Sequence, residues 1–151
     1  MTLAFVDANI PIYAAGRDHP LKRPCISVLH LIAEVPDAFV TSAEVLQEMM
    51  HHYVSRGHIQ EGLAIVQDFA LLMTGRTVSV AAEDVLSAYR MAVTSSHPIP
   101  ARDWLHAAVA KRLAATHIVS ADRQFDYIPG LTRLDPRDYL SWQPLFTGAL
   151  P

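Results

Sequence analysis

The sequence predicts an α/β fold of three layers, with a central, mainly parallel sheet of about four to five strands between two layers of helices. Three observations lead there. Short apolar runs alternate with longer stretches of helical periodicity along the whole chain. The runs lack the apolar–polar alternation of a half-wetted sheet, as strands buried on both faces do. Each run is separated from the next by enough residues for a right-handed helical crossover.

The first run is Leu3-Ala4-Phe5-Val6, ended by Asp7. Asn9 is expected to cap a short helix with Pro11 in its first turn, where the missing N–H costs nothing. Arg17-Asp18-His19-Pro20 reads as a loop, and Lys22 to Ala33 as a helix with Ile26, Leu29 and Ile32 in its stripe. Pro36-Asp37 turns the chain into a second strand, Ala38-Phe39-Val40. Thr41-Ser42-Ala43-Glu44 fits a capping box, opening a helix that carries Val45, Met49 and Tyr53 on one side and ends near Gly57. Another helix covers Ile59 to Met73, closed by Gly75, and Thr77-Val78-Ser79-Val80 is the third strand. Ala81 to Val93 is a helix whose apolar face is expected at Val85, Leu86, Tyr89 and Val93. A breaker-rich loop, Ser95 to Pro100, precedes an alanine-rich helix from Ala101 to Ala115. Thr116-His117-Ile118-Val119 is the fourth strand, and Leu131 to Leu134 a short edge strand. The uncharged tail from Tyr139 to Pro151 carries Trp142, Leu145 and Phe146, with packing left open.

With 151 residues, no repeats and no linker, the chain reads as a single domain over residues 1–151. A formal net charge of -3 excludes a protein that grips nucleic acid by a general positive field, so any such contact needs a local basic rim. One cysteine, Cys25, excludes an internal disulfide framework and fits a reducing compartment; its apolar surroundings suit a small core residue. No uncharged stretch reaches the roughly 18 residues that span a bilayer, and no basic leader precedes the first strand. The expected location is cytoplasmic, away from membranes.

Chemistry is expected where strands end. Val6 leads into Asp7, and Val119-Ser120-Ala121 into Asp122, and in a parallel sheet both ends point to one edge, where open α/β sheets keep their ligands. Glu48 has no capping role and sits among Leu46, Met49 and Met50, whereas Glu44 is accounted for by capping. Asp103 falls in the first turn of the alanine-rich helix, where the dipole favours an anion. Asp126 either faces the same cleft or caps a turn. His51, His52, His58 and His97 read as solvated surface. His106, three residues after Asp103, reads as a buried hydrogen-bonded histidine or a partner to the acidic residues. No nucleophile elbow or glycine-rich phosphate loop is present, and Asn9 disfavours an aspartyl-phosphate phosphatase.

Phe5-Val6-Asp7-Ala8-Asn9, Thr41 to Glu48, Arg102 to Ala108 and Val119 to Asp126 come in the order of a PIN-domain ribonuclease, and the chain resembles that family from Leu3 to about Pro136. Its layout is similar to the VapC-type toxins of toxin–antitoxin pairs. The resemblance implies a PIN-like fold and an acidic site of Asp7, Glu48, Asp103 and Asp122, with Asp126 a further metal ligand and Asn9 and Ser120 orienting the carboxylates. An oxygen-rich cluster of this kind suits Mg²⁺ or Mn²⁺ rather than zinc. The expected activity is metal-dependent endoribonuclease cleavage of RNA phosphodiesters, with Arg17, Lys22, Arg23, Arg102 and Arg123 as an RNA-guiding rim. Expected partners are RNA, a small antitoxin and a second copy of the chain. The apolar candidates for those contacts are Met49, Met50, Tyr53, Leu71-Leu72-Met73 and the tail; the alternative is that they close the core. A nuclease of RNA processing without an antitoxin, and an inactive binding module of the same fold, are the rival readings.

Overall fold

A computed structural model describes residues 2–148. The strands are β1 (Ala4–Val6), β2 (Phe39–Ser42), β3 (Thr77–Val78), β4 (His117–Val119) and β5 (Thr132–Leu134), all parallel, in the order β3-β2-β1-β4-β5. The helices between them are α1 (Asn9–Ala15), α2 (Lys22–Glu34), α3 (Ala43–Ser55), α4 (Ile59–Leu72), α5 (Ala82–Thr94) and α6 (Ala101–Arg112). Two short helices, α7 (Tyr139–Trp142) and α8 (Pro144–Thr147), follow β5. This is the three-layer α/β/α arrangement that the alternating pattern predicts.

The order explains why β1 is apolar throughout. It lies at the centre, is covered on both faces, and all three of its residues are fully buried. The chain moves outward from β1 to β2 and β3, then returns to the other side of β1 for β4 and β5. That reversal makes the β1/β4 boundary the topological switch point, where the carboxyl ends of an open sheet leave a crevice. Pairing of Val6 with Val119 puts Asp7 and Ser120 next in register across that boundary, and the Asp7 N–H donates to the Val119 carbonyl at 3.1 Å.

Several local expectations are corrected. β2 begins at Phe39, because Pro36–Ala38 forms a 3-10 turn, and it runs on to Ser42. β3 is only two residues long. The capping box is not made: Thr41 gives its hydroxyl to the Val6 carbonyl at 2.9 Å, and Glu44 turns to Arg102. Asn9 does not cap α1 but lies inside it, its side chain taken by Asp7 and Ser120. α6 stops at Arg112, where Ala114 takes a left-handed conformation (φ 57°) and the Ala115 N–H reaches back to the Ala110 carbonyl.

The largest correction concerns α5. The apolar residues Val85, Leu86, Tyr89 and Val93 lie outward, Tyr89 being 73% exposed. The inward face is made by Asp84 and Ala88, with Met91 and Ala92 partly buried against the core. Asp84 can be buried because Arg112 grips both its oxygens (Nε–Oδ1 2.7 Å, Nη2–Oδ2 2.9 Å) and the Ala81 N–H donates to Oδ2 at 2.8 Å. Ala88 then lets α5 approach the alanine-rich α6 closely. A small residue and a satisfied carboxylate thus replace the expected apolar stripe.

Of the other apolar candidates, Met49, Tyr53 and Met73 close the core, while Met50 and Leu71 are exposed. In the tail Trp142 is buried and donates its indole N–H to the Asp135 carbonyl at 2.7 Å, and Phe146 packs on Phe39 with ring centroids 4.7 Å apart. Residues 149–151 of the tail lie outside the described residues. Among the described residues, no helix is long and apolar enough to cross a membrane.

Candidate active site

Asp7 leaves the end of β1 with its backbone already tied to β4, and its side chain is fixed by the two polar residues beside it. Its Oδ1 accepts from the Ala8 N–H at 2.7 Å; Oδ2 accepts from the Ser120 hydroxyl at 2.7 Å and the Asn9 amide at 2.9 Å. The Asn9 amide also reaches the Ser120 oxygen at 3.0 Å, and its Oδ1 accepts from the Ala121 N–H at 3.2 Å. Asn9 and Ser120 therefore lace the ends of β1 and β4 together and leave the Asp7 carboxylate a single orientation. Ser120 also accepts from the Asp122 N–H at 3.0 Å, and Asp122 accepts from Gln124 at 2.9 Å. The half-buried Asp122 is thereby turned back to the same edge.

Helices deliver the rest. α3 starts directly from β2 and carries Glu48 over its second turn. α6 starts at the same edge and carries Asp103 and His106, one turn apart on one side. His106 is fully buried, its ring against Phe5 at 5.5 Å, with Nε2 at 3.4 Å from Glu48 and 3.8 Å from Asp7. Ligand atoms of Asp7, Glu48 and His106 all lie within 4.8 Å of one another. Arg102 stands at the outer side, 3.4 Å from both Glu44 and Glu48.

The electrostatics follow from burial and crowding. Burial, then the carboxylates of Asp7 and Asp122, push Asp103 up to about 7. Burial also raises Asp7, partly offset by His106. Burial alone would raise Glu48, but hydrogen bonding and charge from His106, helped by Arg102, hold it below its usual range. His106 is the converse: burial disfavours its cation, yet Glu48, Asp7 and Asp103 together raise its pKa. One oxygen of Asp103, Oδ2, is buried without any hydrogen-bond partner, as is Nδ1 of His106. An unpaired buried carboxylate oxygen is costly, so a cation facing it would relieve both that cost and the mutual repulsion.

Of the four expected carboxylates, Asp7 and Glu48 meet in one tight group with His106, while Asp103 and Asp122 lie outside it as charged neighbours at the same edge. Asp126 turns elsewhere: both of its oxygens are held by Arg133, at 2.8 and 3.2 Å. Of the basic residues, Arg102 is committed to Glu44 and Glu48, and Lys22 donates to the Gly16 carbonyl at 2.6 Å. Arg17, Arg23 and Arg123 are exposed. The sequence reading missed the pairing of Glu44 with Arg102, since a capping role explained Glu44 too easily. The spacing of His106 from Asp103 showed a shared helical side but could not show that Glu48 and Asp7 meet it there.

The model of the PIN domain matches residues 4–131, and the chain belongs to the PIN-domain family. Within that class its likeness runs to the VapC ribonucleases. It is 35% identical over 132 residues to Ribonuclease VapC13 of Mycobacterium tuberculosis, covering 87% of this chain and 99% of that protein. It is 36% identical over 124 residues to Ribonuclease VapC23 of the same species, covering 80% and 93%. Among solved structures, VapBC2 from Rickettsia felis bound to a promoter DNA fragment matches with a TM-score of 0.69 at 18% identity, over 89% of this chain and 100% of that one. Mycobacterium tuberculosis VapC20, a sarcin-ricin loop cleaving toxin, matches with a TM-score of 0.61 at 18% identity, over 76% and 86%. At that identity these structures share the fold.

Proposed function

We propose that this chain is a Mg²⁺- or Mn²⁺-dependent endoribonuclease, a single PIN domain that serves as the toxin of a toxin–antitoxin pair. The observation that carries the reading is the meeting of Asp7, Glu48 and His106 at one edge, with Asp103 and Asp122 near enough to add their charges and one Asp103 oxygen buried without a partner. The VapC relatives, which this chain matches over nearly their whole length, support the ribonuclease and toxin parts. Asp7, Glu48, Asp103 and Asp122 would hold the metal, a hard oxygen set suited to Mg²⁺ or Mn²⁺. Bound there, the ion would supply a water of lowered pKa and charge stabilisation for the phosphodiester.

The chain's own residues do the positioning. Asn9 and Ser120 hold Asp7 in one rotamer, leaving its Oδ1 side towards the cluster. His106, packed behind Glu48 and Asp7, holds those carboxylates at a fixed separation. Asp103, close to half protonated at neutral pH without a cation, is the carboxyl that must lose a proton when one arrives. Exposed Arg17, Arg23 and Arg123 would meet phosphates without reading sequence. Exposed apolar side chains on α3 and α4, such as Met50 and Leu71, support an interface with a second copy or an antitoxin.

Purified protein should cleave RNA with Mg²⁺ or Mn²⁺ and stop in excess EDTA, and Asp7→Asn and Asp103→Asn should each abolish cleavage. Full activity in EDTA, with contaminating nucleases excluded, would defeat the metal assignment. Expression alone should arrest growth, Asp7→Asn should relieve the arrest, and the product of an adjacent small gene should restore growth by direct binding. Harmless expression in a host lacking that neighbour would favour RNA processing instead.

A further inference from the structure

α6 has two working sides. Asp103 and His106 face the carboxylates, while Trp104, Ala107 and Lys111 line a separate cleft of ≈ 670 Å³ against the end of α5 and the segment between β4 and β5. Trp104 follows Asp103 in α6 but belongs to its other side, and the cleft runs from there along the helix to the segments that precede β4 and β5. At its rim His97 stacks on Tyr127, with ring centroids 4.1 Å apart and planes 20° from parallel. His97 comes from the loop before α6 and Tyr127 from the 3-10 turn Arg123–Tyr127 after Asp122, so the pair joins the two segments that flank the acidic edge. Both rings are exposed, Tyr127 by 51%, which leaves an outer aromatic face open.

The chemistry of the cleft is distinctive. Its floor is apolar, formed by Trp104, Ala107 and Ile128, and none of the residues lining it is acidic. Lys111 is exposed at its side and makes no ion pair among the described residues. In a chain of net charge -3, a surface with an open aromatic stack, one free cation and no carboxylate suits an anion that carries flat rings. We propose that the cleft with its His97–Tyr127 platform holds an unpaired base and phosphate of single-stranded RNA, on the other side of α6 from the acidic cluster. The proposal rests on the ribonuclease reading and adds a base-holding subsite to it. Stacking on an aromatic ring holds any base and is worth roughly five- to hundredfold in affinity per base. It can therefore do what the overall charge of the chain cannot. A basic peptide would find no carboxylate to pair with here, which disfavours it as the occupant.

The test uses fluorescein-labelled oligo(A) and oligo(U) RNA of about ten nucleotides, a length within common single-strand site sizes. Binding is read by anisotropy in EDTA, where nothing is cut. Tyr127→Ala and His97→Ala should each weaken binding about five- to hundredfold, and Tyr127→Phe should keep it, because stacking needs the ring and not the hydroxyl. Lys111→Ala should lower the salt dependence by roughly one phosphate contact. Melting curves check that these exposed substitutions leave the fold intact. Wild-type affinity in both alanine variants overturns the subsite, while metal-dependent cleavage by the wild type would leave the ribonuclease reading standing. No binding of either RNA by the wild type also overturns it, and the cleavage assay then judges the ribonuclease reading separately. Alanine variants that lose only the adjacent gene's protein would make the cleft a protein interface, again overturning the subsite.

Discussion

Burial and three like charges push Asp103 the same way, towards its neutral form, and the effect has a measurable sign. Its carboxyl titrates near 3.8 when the chain is unfolded and at about 7 in the metal-free fold. Between those values the folded protein binds more protons than the unfolded chain, so this group makes stability fall as pH rises from about 4 to about 7. Removing the charge should remove the effect. In EDTA above pH 7, Asp103→Asn should raise stability by about 1–2 kcal/mol, roughly 2–8 °C in melting temperature, and flatten its fall between pH 4 and 7. A lowered melting temperature would make Asp103 a structural residue instead. The same residues show how far single positions could be read. Asp7 and Asp122 were legible because a carboxylate ending a buried parallel strand has one edge to go to. Glu48 was legible because no local rule explained it. Arg102 could be read as a free rim cation only while its partners, Glu44 and Glu48 on another helix, were out of sight.

At the scale of elements, sequence periodicity located nearly every helix and strand but not always the buried face. The outward apolar stripe of α5 is the clearest case. Its inward face is built on Asp84, which reads as a surface residue until Arg112, 28 positions later, is known to clamp it. Thr41 likewise fits a local cap, yet its hydroxyl is taken by β1 across the sheet. Local rules fail where a distant group competes for the same atom. The contact between α3 and α4 gives a test of the same principle. Gly62 lies inside α4, where alanine would ordinarily add about 1 kcal/mol of helix stability. A Cβ there, however, would run into the Cβ of buried Tyr53. Because that obstacle is the base of a side chain on a packed helix, it cannot swing aside, and overpacking of this kind costs about 1–3 kcal/mol. Gly62→Ala should therefore destabilise the protein in denaturant titrations, against its helix propensity. A stabilised variant would mean that α3 and α4 shift apart easily.

For the whole molecule, the proposed metal site at the acidic edge would make stability a report on the ion. Without a cation the fold carries Asp7 and Asp103 in strained ionisation states, one oxygen of Asp103 without a partner, and Glu48 balanced only by His106 and Arg102. These groups sit just after β1 and on α3 and α6, and the backbone of the central strand runs directly into the cluster. An ion bound there would tie three separate parts of the fold together, and it would bind the folded chain alone, since the unfolded chain has no such constellation. At a hundredfold excess over its dissociation constant it should add about 2.7 kcal/mol, roughly 5–10 °C for a chain of this size. The gain should grow from pH 5 to pH 8, because the ion must displace the proton of Asp103, held to about 7. Melting curves in Mn²⁺ and Mg²⁺ at both pH values measure it directly. Asp7→Asn with Asp103→Asn should lose most of the shift, even though the double variant is expected to be the more stable protein in EDTA. A full shift in the double variant would place the ion elsewhere, and the four carboxylates at the switch point would then need another explanation than metal binding.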